Sequence, residues 1–281
     1  MAETPGEAAP IALVISDVDG TLVTTDKQLT PAAKDAVRRL DAAGIGFTLI
    51  SSRPPRGMAA VAEALQVRLP MAAFNGGTLF APDQSLIEAH HLQAGAAREA
   101  LGLLEAGGVG VWVDADGAWR LEHPDGAHVD HERHTIGFAP TVVSSFEEVM
   151  GRIDKIVGVS DDHALLAALT AKVAARLKGR AEVMQSQTYY LDVTHPLANK
   201  GDGVRALCRR IGVDLANVAV LGDMFNDVAM FEVAGFSVAM GQSPDPVKAA
   251  ARAVSPASND ADGFARAVEE IILPRAGRVP A

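Results

Sequence analysis

The sequence predicts an α/β protein: a Rossmann-like parallel-sheet core with helices on both faces, interrupted by an inserted α+β domain with an antiparallel sheet. Three observations carry this. Short apolar, β-branched runs alternate with amphipathic helical segments at both ends of the chain, the pattern of a parallel sheet. Between about residues 84 and 193 the strands fall in adjacent pairs turned by few residues, the pattern of antiparallel pairing. Apolar residues make up 48% of 281, enough to bury a core of that size and to exclude wholesale disorder.

In chain order, residues 11–16 (IALVIS) read as a buried strand. A helix runs from about Thr30 to Ala43, with Thr30 as N-cap, Pro31 at the first helical position and Gly44 as terminator. A strand follows at 45–50, a helix from Pro54-Pro55 to about Gln66, a strand at 69–74 and a short extension at 78–80. The middle holds helix 94–106, strands 109–113 and 118–121, a polar loop to about 140, strand 153–159, helix 162–178 and strands 181–186 and 188–193, the helices covering one sheet face. The C-terminal part returns to alternation: helix 200–211, strand 217–221, helix 225–233, strand 236–239, helix 244–251 and a last helix near 260–272. The expected domains are a leader at 1–10, a discontinuous core at 11–82 and 195–275, and an insert at 83–194 with hinges at Ala81-Pro82-Asp83 and Thr194-His195-Pro196.

Composition narrows the partners. A formal charge of −10 and 5% aromatic residues disfavour a nucleic-acid-binding surface. No apolar run reaches the roughly 18–20 residues of a membrane-spanning helix. The start of the chain, MAETPGEAAP, lacks the basic and apolar segments of a signal peptide, and the lone Cys208 forms no intrachain disulfide. A cytoplasmic monomer or homodimer is expected.

Four segments carry chemistry. Asp17 to Leu22 (DVDGTL) follows the first strand directly, where ligands of open parallel sheets bind. Asp17 and Asp19 on one side of the chain could divide labour, one ionised as nucleophile or metal ligand and the other as general acid; an acidic turn with a capping threonine is the plainer alternative. Gly222 to Asp227 (GDMFND) follows the apolar run 218–221 and adds Asp223, Asn226 and Asp227. Several carboxylates gathered together call for a cation, and oxygen-only ligands favour Mg²⁺; a solvated helix start is the alternative. Ser51-Ser52-Arg53 ends the second strand with a hydroxyl and backbone N–H groups suited to phosphate oxygens, although serine at a strand end is ordinary. Lys200 opens a helix, where the helix dipole disfavours a cation unless an anion is nearby.

Taken together, DVDGTL, Ser51, Lys200 and GDMFND resemble the four motifs of the haloacid dehalogenase superfamily of phosphohydrolases. The insert between Ser51 and Lys200 resembles the cap of the Cof-type (class IIB) branch, as do Phe74-Asn75-Gly76-Gly77 and Asn199-Lys200-Gly201. The chain departs from the common Thr-Gly-Arg second motif by reading Ser51-Ser52-Arg53. The resemblance implies a phosphatase that hydrolyses a small-molecule phosphate monoester, such as a sugar phosphate, through an aspartyl-phosphate on Asp17. Asp19 would serve as general acid and then base, its pKa raised by the neighbouring Asp17 and Asp223. Mg²⁺ would be held by Asp17, the Asp19 backbone carbonyl and Asp223, with Asp227 acting through water or in support. Ser51, Ser52, Lys200, Asn226, Asn75 and Gly76 would bind phosphate and substrate. A phosphomutase on a sugar phosphate and a non-catalytic phosphate- or metal-binding regulator are the alternatives.

The insert is expected to set specificity and to exclude water. His123, His128, His131 and His134 read as a solvated loop, with zinc binding as the alternative; Tyr189, Tyr190 and Asp192 divide between substrate lining and packing. Trp112 and Trp119 read as core, and Met224 and Phe225 as packing residues.

Overall fold

The computed structural model describes residues 9–276 of the 281. The leader expected at 1–10 lies, except for its last two residues, outside them. The described elements, in chain order, begin with β1 (Leu13–Ser16), α1 (Pro31–Ala42), β2 (Gly46–Leu49), α2 (Pro55–Ala64), β3 (Met71–Ala73), β4 (Thr78–Phe80) and β5 (Leu86–Ala89). Next come α3 (Ala94–Ala106), β6 (Gly110–Ala115), β7 (Ala118–Leu121), α4 (Val129–Ile136), β8 (Thr141–Val142), β9 (Ile153–Val159), α5 (His163–Arg176), β10 (Glu182–Gln187) and β11 (Tyr190–Thr194). The chain then continues with α6 (Lys200–Ile211), β12 (Val218–Gly222), α7 (Val228–Val233), β13 (Phe236–Ala239), α8 (Asp245–Ala250), β14 (Ala253–Val254) and α9 (Gly263–Ala267).

Two compact units divide the chain: the described residues of Met1–Leu49, Ala64–Leu69 and Val204–Ala281 form one, and Ile50–Glu63 with Pro70–Gly203 form the other. The first holds a five-stranded parallel sheet in the order β14-β13-β12-β1-β2. β1 sits between two neighbours and is buried throughout, which is why its sequence is an unbroken apolar run up to Ser16. Helix α1 starts as its sequence dictates: the Thr30 hydroxyl accepts the Ala33 N–H, and Pro31 fills a position that needs no donor. Its buried residues Ala33, Ala36, Val37 and Leu40 recur at helical spacing and face inward with α9, where Phe264 meets Phe47 edge-on at 6.0 Å.

The helix expected at 225–233 opens instead with a 3₁₀ turn at Phe225–Asp227 before α7, because the Asp227 carboxylate accepts the Asp223 and Met224 N–H groups and tightens the chain there. The last expected helix, 260–272, is α9 followed by a π-helical turn at Val268–Ile272.

In the second unit, the segments expected at 69–74 and 78–80 form β3 and β4. With β5 they make an antiparallel sheet of three strands, and Ala72 of β3 also bridges Ile50 in parallel. The larger sheet has the order β10-β11-β9-β6-β7-β8 and is antiparallel except for the short β7–β8 pair. On one face, Ala97, Leu101 and Leu104 of α3 and Leu166, Leu169 and Val173 of α5 bury Val113, Ile156 and Leu191. The opposite face is covered too, contrary to the sequence expectation. Residues read as a polar loop form α4, whose Val129 and Ile136 pack with Trp112, Trp119, Val157 and Tyr190. With two buried apolar positions in eight residues, α4 leaves almost no periodic signal. Trp112 and Trp119 are core residues, edge to face at 5.2 Å. Among the described residues, no helix is long and apolar enough to cross a membrane.

Gly235 donates its N–H to the Leu215 carbonyl at 2.7 Å, and a β-carbon on it would overlap the Ala216 carbonyl. Gly235→Ala should therefore destabilise the protein by about 2 kcal/mol, the cost of overpacking against backbone. Thermal denaturation would show a midpoint lower by several degrees; an unchanged midpoint would refute the reading.

Candidate active site

Parallel pairing in register, Ser16 opposite Leu221, brings the carboxyl ends of β1 and β12 side by side, and the Asp17 N–H donates to the Leu221 carbonyl at 2.9 Å. Two segments about 200 positions apart in sequence thereby share one strand end. Asp17, Asp223 and Asp227 are all buried, and each offers a carboxylate oxygen within 4.8 Å of the others. Among the described residues this is the one group of three or more His, Cys, Asp or Glu side chains placed to hold a metal ion. The neighbours hold the acids in place. The Thr21 hydroxyl donates to Asp223 Oδ1 at 3.0 Å, and Asp227 Oδ2 accepts the N–H groups of Asp223 at 2.7 Å and Met224 at 2.9 Å. Gly20, at φ +77°, leaves room for the Asp223 carboxylate, which a β-carbon there would overlap. Asp19 lies past the strand end and is more open, with the Lys27 ammonium 2.8 Å from its Oδ1. Asn226 is half-buried and Phe225 is 58% exposed, so Phe225 does not pack as its sequence suggests.

The second unit gathers the other predicted residues. Ser51 is buried, with its N–H on the Ala72 carbonyl, its carbonyl accepting the Asn75 N–H at 2.8 Å, and its hydroxyl accepting the Arg53 N–H at 3.2 Å. Phe74 and Asn75 both take left-handed conformations, φ +50° and +57°, which turns the chain sharply. Gly76 then lies against the start of α6: a β-carbon on it would come 2.7 Å from Gly203 Cα and 2.8 Å from the Asn199 carbonyl. Asn199 caps α6 by accepting the Asp202 N–H at 2.9 Å, and Lys200, the first helical residue, is buried. Ser51, Asn75, Gly76 and the Lys200 turn are thus tied together through backbone.

Several residues of this unit left no motif in the sequence. Lys155 sits in β9, a strand otherwise apolar except for Asp154 and buried at all seven positions; its ammonium reaches the Ser52 carbonyl at 3.2 Å and stands 3.9 Å from Asp114 Oδ2. A lysine within a fully buried strand is the signal that could have found it. Asp192 of β11 joins this group on the α4 side of the sheet and is buried. Burial draws the Lys155 ammonium down, yet Asp192, Asp114 and Glu132 hold it above the ordinary lysine range. Burial pushes the Asp192 carboxyl up, against the pull of Lys155. Tyr190 donates to Glu132 at 3.2 Å, and Asn75 Nδ2 lies 3.9 Å from Met184 Sδ. His128, half-buried, stacks on the Tyr189 ring at 4.2 Å with its Nε2 2.7 Å from Asp161, and His131 Nε2 lies 3.5 Å from the Tyr189 hydroxyl; His123, His131 and His134 are exposed, as the sequence suggests.

A sequence profile of haloacid dehalogenase-like hydrolases matches residues 14–268, and the chain belongs to that family. A Haemophilus influenzae relative, whose name carries only a provisional phosphatase assignment, is 30% identical over 264 residues, 92% of this chain and 97% of its own length. A pyridoxal phosphate phosphatase of Escherichia coli is 27% identical over 256 residues, 86% of this chain and 92% of its own. The solved structure of a subclass IIB sugar phosphatase superposes with a TM-score of 0.80 at 21% identity, over 93% of this chain and 99% of that one.

Burial also pushes the Asp114 carboxyl up to about 7, an effect Lys155 partly offsets and Glu132, Asp154 and Asp192 reinforce. A carboxyl that titrates near 7 when folded but near 3.8 when unfolded binds a proton on folding between those values. Its contribution to stability is full below about pH 4 and lost as pH rises through 7. Asp114→Asn should accordingly flatten the fall in denaturation midpoint across this range; profiles parallel to the native protein's would refute the assignment.

Proposed function

We propose that this chain is a Mg²⁺-dependent phosphatase that hydrolyses a small-molecule phosphate monoester through an aspartyl-phosphate. The observation that carries the reading is the buried trio of Asp17, Asp223 and Asp227 at the ends of β1 and β12. Three acids with oxygens this close repel one another in a low-dielectric site, and a hard divalent cation with oxygen ligands relieves that. The donor set therefore fits Mg²⁺, with Asp17, Asp223 and the Asp19 backbone carbonyl as ligands and Asp227 in support. When bound, the ion neutralises charge on the phosphoryl group.

The remaining steps fall to the chain's own residues. An Asp17 carboxylate oxygen attacks phosphorus, and the bond from phosphorus to the ester oxygen breaks. Asp19 gives its proton to the departing alkoxide. It then takes a proton from water as the water oxygen attacks phosphorus, which breaks the bond to Asp17 and releases inorganic phosphate. Ser51, Ser52, Lys200 and Asn226 bind the phosphoryl oxygens, and Asn75-Gly76 supports Ser51. Lys27, by its pairing with Asp19, orients that carboxyl. Relatives named for pyridoxal phosphate and sugar phosphates support a small, oxygen-linked leaving group. The domain boundaries we assign to this function are a core at 11–82 and 195–275 and a cap at 83–194.

A panel of phosphate monoesters assayed with Mg²⁺ and with EDTA should show phosphate release from at least one member that EDTA abolishes. Accumulation of an isomeric sugar phosphate without phosphate release would convert the reading to a mutase. Asp17→Asn should lower kcat by at least about 10³-fold while circular dichroism and the denaturation midpoint stay near native values. Retained turnover would remove Asp17 as nucleophile.

A further inference from the structure

We propose that Lys155 is a positioning residue for the phosphate-binding hydroxyl of Ser51, acting through the Ser52–Arg53 peptide; this rests on the phosphatase reading above. The connection can be followed atom by atom within one compact unit. Lys155 Nζ donates to the Ser52 carbonyl at 3.2 Å. That carbonyl belongs to the same planar peptide as the Arg53 N–H, which donates to Ser51 Oγ at 3.2 Å. A hydroxyl carries one proton to donate, so an Oγ that accepts from Arg53 keeps its own O–H for an outside acceptor such as a phosphate oxygen. A cation on the carbonyl polarises the peptide and strengthens its N–H as a donor, and hydrogen bonds in such a chain reinforce one another.

The surroundings of Lys155 suit this task. β9 carries it on the face shared with Asp114, its direct cross-strand neighbour on β6, and with Asp192 on β11. Asp114 Oδ2 lies 3.9 Å away, and the Phe74 ring centroid lies 5.8 Å from the ammonium. The two acids fix a buried ammonium that the sheet would otherwise reject, and leave it a donor for Ser52. Backbone bonds brace the same loop from the other side, from Asn75 N–H to Ser51 O at 2.8 Å and from Phe74 N–H to Arg53 O at 3.1 Å. β9 and the Ser51–Arg53 loop are thereby joined through one side chain.

The test measures binding of inorganic phosphate to the full chain in excess MgCl₂ by calorimetry, alongside kcat and KM on the best substrate of the panel. Lys155→Met should weaken phosphate binding about 3- to 10-fold, through a weakened rather than a lost hydrogen bond, and raise KM more than it lowers kcat. Lys155→Arg should restore part of the affinity. Because Lys155→Met strands two buried acids, the triple variant Lys155→Met/Asp114→Asn/Asp192→Asn is measured beside it; it should fold and show the same loss. Native phosphate affinity in the folded triple variant would overturn the proposal and leave the phosphatase reading standing. Absence of both phosphate binding and hydrolysis in the native protein would overturn the two together.

Discussion

Three carboxylates within 4.8 Å of one another are the constraint to which the parallel-sheet unit is built. At about 4 Å and an effective dielectric near 20, each like-charged pair costs roughly 4 kcal/mol, so the arrangement persists only if the fold enforces it. Enforcement comes from the backbone. The in-register pairing of β1 with β12 places Asp17 beside Gly222-Asp223, and the Asp17 amide on Leu221 locks the junction. The glycines follow from the acids: a β-carbon on Gly20 would overlap the Asp223 carboxylate, and one on Gly222 the Asp227 carboxylate. Thr21 and the amides of Asp223 and Met224 supply donors to the carboxylates of Asp223 and Asp227.

The second unit fixes its turn residues by backbone and side-chain hydrogen bonds. Ser51 is immobilised by bonds at its N–H, its carbonyl and its hydroxyl. Lys200 begins a capped helix and is buried. The glycine contact between Gly76 and Gly203 lets the turn and the helix approach more closely than side chains would allow.

Legibility followed the strength of local signal. DVDGTL and GDMFND could be located because each follows an apolar run that reads as a buried strand; Ser51 was placed the same way, and Lys200 as a cation at a helix start. The parallel sheet was equally plain: β1 is apolar up to Ser16, and β12 has no polar side chain. What escaped was whatever depends on partners distant in sequence. α4 buries two of its eight residues, so its polar surface masks it as a loop. β5 has a burial pattern that never falls to fully buried, and no run of apolar residues announces it. Lys27 and Lys155 sit in no motif; each acquires meaning only from the acid or carbonyl that the fold delivers to it. Phe225 reads as a packing aromatic because hydrophobicity is a property of the residue, whereas its exposure is a property of the turn that Asp227 forces on the chain.

The successive left-handed residues Phe74 and Asn75 carry a cost that no side-chain contact reveals. A bulky aromatic at φ +50° is strained by roughly 1–3 kcal/mol, and asparagine is among the few residues that tolerate the next position. Glycine at Phe74 would relieve that strain but loosen the unfolded chain and surrender a buried ring. Sequence optimisation for heat resistance would thus meet resistance at this corner, because the conformation it would relax is the one that holds Ser51 in place. Local strain and the fixed position of Ser51 are here properties of the same two residues, so relaxing one would release the other.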